Sequence, residues 1–293
     1  MDPFSLLRPQ PCPHPLIRIG GDGDGAYLIP DDLEGIEACF SPGVCNRKDF
    51  EDELAHRFGI RSHLCDFSSS PERLQTPLLA GLQTFEAVWL DTKGTPDSVC
   101  LEDWIQRHEP APPSGDLILQ MDIEGGEVRN LLSTPESCLK RFRIIAIELH
   151  NLDALRHYGS LKWTIKVVAA QLWRLGIRPM LKHLQGNRLV RRALLKAERN
   201  LEPYLLGRLL LKLNRTHRCV HAHANNNCHY RFTDRPSGMN IPSLLELTYL
   251  RKDRCIGGGN SLRQPVIPHP LDIVNNSERP AELLNAHWLR TTH

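Results

Sequence analysis

The chain is poor in the features that would place it quickly. Its nine cysteines are scattered, and no pair stands at CxxC spacing. An odd, dispersed set reads as reduced thiols in a cytosolic protein, not as a disulfide frame or a zinc knuckle. No run reaches the ~18 apolar residues that a membrane-spanning helix needs. Met1 to Pro15 carries five prolines and no apolar signal core, which argues against secretion and for a cytoplasmic protein. A net charge of +2 gives no reason to expect nucleic acid as a partner. There is no GxGxxG, so the pyrophosphate-cradling turn of NAD-binding folds is missing.

What is present centres on Leu117-Ile118-Leu119-Gln120-Met121-Asp122-Ile123-Glu124-Gly125-Gly126-Glu127. An apolar run of strand length leads into two acids and a glycine pair, and a helical segment (Glu127 to Leu132) follows. That is the pattern of a buried parallel strand, a tight turn and a helix. Ligands of open α/β sheets gather beyond the carboxyl ends of the strands, where Asp122 and Glu124 would stand. The blander role for Asp122 is to cap the following helix. With 41% hydrophobic and 24% charged residues, 293 residues suffice for one large α/β domain or two small ones.

Taken in order, Met1 to Pro15 reads as an extended arm. Leu16–Ile19 and Ala26–Ile29 read as a hairpin around Gly20-Gly21-Asp22-Gly23-Asp24-Gly25. That turn lacks the glutamate a calcium loop needs at its twelfth position. Residues 1–30 therefore form an arm and hairpin ahead of a domain spanning 31–293. Gly35 to Phe40 reads as the first central strand, ending in Ser41-Pro42-Gly43-Val44. A helix is expected from Asp49 to Phe58, closed by Gly59, and then a strand from Arg61 ending at Asp66. This strand–turn–helix–strand–acid unit binds nucleosides in Rossmann-like folds. S-adenosylmethionine has no pyrophosphate, so its turn can be looser than that for NAD. Ala87 to Asp91 reads as a third strand, Ser98 to His108 contains a helix, and Pro110-Ala111-Pro112-Pro113 interrupts the chain. Arg143 to His150 is a buried strand. Lys162 to Leu175 is helical, with Ile165, Val168, Ala169 and Leu172 on one face. Cys219 to His223 and Leu244 to Leu250 are the last strands, with a possible antiparallel pairing between them. An irregular tail follows from Cys255.

Leu119 to Glu127 resembles the KIDIEGAE signature of FkbM-type methyltransferases. Val99 to Trp104 resembles the segment preceding that motif, and Ile145 to His150 the strand following it. The resemblance covers residues 36–150 well and 220–250 more loosely. It implies a Rossmann-like class I methyltransferase fold, with a seven-stranded, mostly parallel sheet whose last strand is antiparallel. It implies S-adenosyl-L-methionine as cofactor and O-methylation of a hydroxyl on a small molecule or sugar. Ser41 and Gly43 would line the methionine part, Asp66 would hold the ribose, Asp91 or Thr92 would lie near the adenine, and Asp122 and Glu124 would face the methyl-transfer site. The family's D-x-G-x-x-x-G stands here as Phe40 to Asn46, with one glycine.

A hydroxyl acceptor must lose its proton to a base or to a metal that lowers its pKa. His150 or His223 could be the base. Asp122, Glu148 and His150 could hold a divalent metal, magnesium by the hardness of the oxygens. His221 and His223 share a strand face, and one can equally be a hydrogen-bonded core residue. From Arg178 to Arg218 the chain has 11 Lys/Arg against two Glu. That basic helical insertion reads as a solvated pair packed on the sheet, a lid attracting an anionic acceptor, or a helix lying on a membrane surface. Two other functions remain open on these residues: a metal-dependent hydrolase on the same rim, and a methyltransferase-like protein without catalysis. The sequence leaves the oligomeric state unread.

Overall fold

The computed structural model describes residues 2–109, 115–181, 186–256 and 262–290. The expected interruption at Pro110-Ala111-Pro112-Pro113 lies outside them.

Seven strands form the central sheet: β1 (Ile36–Pro42), β2 (Arg61–Cys65), β3 (Gln83–Glu86), β4 (Asp116–Met121), β5 (Phe142–Leu149), β6 (His217–Ala224) and β7 (Leu245–Arg251). Their order across the sheet is β3-β2-β1-β4-β5-β7-β6. β1 to β5 pair in parallel, whereas β7 is antiparallel to both β5 and β6. The chain is thus mixed α/β with a mostly parallel sheet and its last strand reversed.

The apolar runs produce this layering. β4 and β5 have almost no exposed residue, as expected for strands covered on both faces. Alternation along the strands divides the core. Phe40, Leu117, Leu119 and Ile145 face one side, with Trp104, Leu131, Leu209 and Leu213. Cys39, Ile118, Ile144 and Ala146 face the other, with Phe50 and Leu54 of α1 (Asp49–Phe58) and Ile19, Tyr27 and Ile29 of the hairpin Leu16–Ile19/Tyr27–Pro30. α1 ends where Gly59 takes φ +66° and donates its N–H to the carbonyls of Ala55 and Leu54, a left-handed closure that costs glycine little. α2 (Leu101–His108), α3 (Glu127–Ser133), α4 (Leu161–Leu172), α5 (Arg188–Leu201) and α6 (Leu206–Thr216) complete the main helices.

Two expectations are corrected. The N-terminal arm is not extended throughout: Pro3–Leu7 is a helical turn capped by Asp2, and Phe4 and Leu7 are buried in the core. An apolar pair three residues apart gives such a turn a face to bury. The third strand is Gln83–Glu86, not Ala87–Asp91. Trp89–Leu90 instead forms a separate two-residue ladder with Ser98–Val99, so Asp91 does not end a strand of the central sheet. Trp89 stays exposed and stacks on Phe67, with ring centroids 5.0 Å apart. The sequence put the apolar residues of α4 on one face, and the fold turns that face outward. Ile165, Val168 and Leu172 are exposed, while Trp163 and Ala170 face inward.

Candidate functional site

The strand order reverses direction between β1 and β4, and the loops leaving their carboxyl ends meet there. Gly43 makes the junction possible. Its φ is +88°, and a Cβ built on it would lie 1.6 Å from the carbonyl oxygen of Asp122. Its N–H donates to the Cys65 carbonyl at 2.9 Å, and the Asp122 N–H donates to the Pro42 carbonyl at 3.3 Å. The ends of β1, β2 and β4 are therefore tied together at one glycine. Beyond it, Cys45 (φ +43°) and Asn46 (φ +68°) hold left-handed conformations with no glycine to relieve them. Such strain concentrates where a loop is held for a purpose.

The Cys45 N–H donates to Asp66 Oδ2 at 2.9 Å, and Asp66 Oδ1 accepts from the N–H and hydroxyl of Ser68, both at 2.7 Å. Both oxygens of Asp66, the residue expected to hold a ribose, are thereby engaged in shaping this loop. A cavity of about 70 Å³ opens here, lined among others by Asp24, Gly43, Cys45, Lys48, Gln120 and Asp122. Ser41 is fully buried behind it, its hydroxyl against Glu51 and Gln120.

Asp122 does not cap α3. The N-cap position is Gly126, without a side-chain cap. Glu127 does the local work: fully buried, its Oε1 accepts from the N–H groups of Ile123 and Gly125, both at 3.0 Å. Asp122 Oδ1 and Glu127 Oε2 are buried with no hydrogen-bond partner among the described residues. Around them His150 is within 3.5 Å of Glu124, 3.3 Å of Glu127 and 3.4 Å of Glu148. The Glu124 side chain is 88% exposed and forms the solvent edge of this group.

Burial pushes the Asp122 carboxyl up to about 7; His150 opposes the rise, and Glu127, Glu124 and Asp24 add to it. Burial likewise lifts Glu148 to about 9, with Asp122 and Glu246 adding to the rise. For His150 burial alone would lower the imidazolium, but Glu127, Asp122 and Glu148 outweigh it and raise it to about 9. His150 is therefore a cation at neutral pH and Glu148 a neutral acid.

A second group adjoins the first. Ligand atoms of Asp122, Glu127 and His150 lie within 4.8 Å of one another, and so do those of Asp24, Glu148 and Glu246. Asn225 Nδ2 donates to Glu148 Oε2 at 2.6 Å, and Asn275 donates to both Asp24 and Glu246. His221 Nε2 is 3.0 Å and His223 Nδ1 3.6 Å from Asp272. Burial works against the charged form of His223, yet Asp272 and Glu246 raise its pKa.

Of the residues read from the sequence, the fold brings Gly43, Asp122, Glu124, Glu148 and His150 to one rim, with Asp66 joined to it through Cys45. Glu127 takes the place expected for Glu148 beside Asp122 and His150, and Glu148 groups with Asp24 and Glu246. His223 stands in the adjoining Asp272 group. Asp91 lies apart, accepting the Thr92 N–H and 3.7 Å from Arg129. Sequence reading missed Asp24, Glu127, Glu246, Asp272 and Asn275. Glu127 carried a signal as the acid closing the glycine turn, and Asp24 as an acid of the glycine-rich hairpin turn. No protein-family model matches the chain, and no curated protein matches it.

Proposed function

We propose that the chain is an S-adenosylmethionine-dependent methyltransferase acting on a hydroxyl of a small molecule or sugar. The observation that carries this reading is the strand order 3-2-1-4-5-7-6 with strand seven alone reversed, together with a cleft beyond the carboxyl ends of β1 and β4. Gly43 and the loop that Asp66 holds would receive a nucleoside at that switch point. Exposed Phe67, next to Asp66, offers a purine an apolar face. The cavity of about 70 Å³ is smaller than the ~300–1,000 Å³ of ordinary ligand sites, so the cleft would widen to take a nucleoside.

The cofactor supplies a sulfonium methyl group, and in-line placement supplies most of the rate. Asp122 is the base. With its pKa lifted to about 7 and half-buried on the cleft wall, it would take the proton from the acceptor's hydroxyl when the cofactor is bound. His150, already protonated, stabilises the anionic form of Asp122. Titration of the full chain with S-adenosylhomocysteine gives a Kd on the order of micromolar. Asp122→Asn lowers kcat by about 10²–10⁴-fold and leaves that Kd within about threefold. Absence of S-adenosylhomocysteine binding removes the methyltransferase reading. If magnesium still bound, the metal-dependent hydrolase would take its place.

Asp122 and Glu127, with His150 once it has released its proton, would also fit a divalent cation, because two buried carboxylate oxygens there are unpartnered. Magnesium, when bound, would lower the pKa of an acceptor hydroxyl. Protons and metal compete for these oxygens. Millimolar magnesium therefore raises the thermal midpoint more at pH 8 than at pH 6, and Asp122→Asn removes the difference. An equal shift at both pH values, or none, discards the metal.

A further inference from the structure

α4 carries apolar side chains on the wrong side for a surface helix. At 100° per residue, Leu161, Ile165, Val168 and Leu172 fall in one stripe, and Leu175 follows in the π-helical turn Trp173–Ile177. Trp163 and Ala170 lie opposite that stripe and are buried. The outward stripe is bare: Leu161 is 76% and Leu175 79% exposed, and Ile165, Val168 and Leu172 are all more than half exposed. Met180 and Leu189, in the segments that follow, are likewise exposed, at 75% and 74%. A soluble surface helix turns polar residues to water here, and a contiguous apolar stripe marks a face that something covers.

The surrounding charge says what. From Leu161 to Leu201 the sequence has ten Lys/Arg and a single acid, Glu198. Glu198 is itself buried and paired with Arg178 at 3.2 Å. No exposed carboxylate among the described residues of this stretch offsets Lys162, Arg188, Arg191, Arg192, Lys196 and Arg199, all of them exposed. A second copy of the chain would bring two such cationic faces together, and like charges resist that association. Nucleic acid would answer the charge and leave the aliphatic stripe in water. An anionic bilayer surface answers both, since acyl chains take the stripe and lipid phosphates take the lysines and arginines.

We propose that the outward face of α4, with the basic segment through α5, docks on an anionic membrane surface. It lies in the plane of the interface and does not span it: no helix among the described residues is long and apolar enough to cross a membrane.

Flotation of the full chain with phosphatidylcholine vesicles, with and without about 30% phosphatidylglycerol, tests this. The chain floats with the anionic vesicles at a lipid concentration about tenfold below that needed for pure phosphatidylcholine, and added salt weakens the binding. Ile165→Asp combined with Leu172→Asp raises the required lipid at least about tenfold. Both side chains are exposed, so the thermal midpoint stays unchanged. If that pair misfolds by circular dichroism, Leu161→Asp at the first residue of α4 gives the same readout. Three results overturn the proposal: no flotation with anionic vesicles; flotation that ignores the apolar substitutions; or a dimer in sedimentation that the substitutions dissociate while vesicles are not bound.

Discussion

Gly43→Ala destabilises the protein by at least about 3 kcal/mol and removes ligand binding at the cleft. Two costs combine. The residue sits at φ +88°, where a β-carbon costs roughly 1–2 kcal/mol. The new methyl would also stand 1.6 Å from the Asp122 carbonyl oxygen, which is backbone and cannot swing aside. β1 and β4 must part at their carboxyl ends, which loosens the Asp122 N–H to Pro42 hydrogen bond and displaces the Asp122 carboxyl. Gly59 is the control. It is also left-handed, at φ +66°, but a Cβ there meets nothing within 4 Å. Gly59→Ala therefore costs only about 1 kcal/mol. Thermal denaturation separates the two, with Gly43→Ala lowering the midpoint by roughly 5 °C or more. A Gly43→Ala midpoint no lower than that of Gly59→Ala would show that β1 and β4 do not approach as described.

The second large effect is on pH dependence. Glu148 titrates near its ordinary 4.5 in the unfolded chain and at about 9 in the folded one, because burial disfavours its anion and Asp122 and Glu246 add to that. Between those values the folded protein keeps a proton that the unfolded chain has released, so stability falls as pH rises. Burial gives Asp122, Glu246 and Glu51 the same sign, each lifted to about 7. His150 adds to it: its carboxylate neighbours raise its pKa to about 9, so the stability it contributes is lost as pH rises from 6.5 through 9. The thermal midpoint accordingly declines from about pH 5 to about pH 9. Glu148→Gln keeps the shape of the neutral acid and can still accept the Asn225 hydrogen bond. It flattens the decline and raises stability at pH 8 by on the order of 3 kcal/mol. A variant whose midpoint falls as steeply as that of the unsubstituted protein would mean that Glu148 is ionised in the folded state. Asp272 works in another window. Its carboxyl is buried, but His221 and His223 hold it well below the usual range, so its contribution is lost only on acidification.

Much of the scaffold is legible from local chemistry. The unbroken apolar runs at Leu117 and Ile144 could only be strands covered on both sides, and Gly59 closes α1 where its sequence position says it should. The rim acids Asp122, Glu124 and Glu148 and the histidine at 150 follow from the same rule, because a strand that ends in polar groups delivers them to one edge. Asp91 was misplaced because an apolar run beside an acid gives the same local pattern whether or not it joins the main sheet. The strand-forming choice was made instead by Gln83–Glu86, whose backbone pairs with β2.

Tertiary structure alone decided the rest. Asp24, Asp272 and Asn275 lie up to about 250 residues apart in sequence, and only chain folding sets them around Glu246 and His223. Whether a carboxyl is an anion or a neutral acid depends on the water removed and the charges brought near, which no local pattern encodes. The helical period of α4 states that it has an apolar face. It does not state which way that face points, and packing of Trp163 and Ala170 against the body of the protein turned it outward.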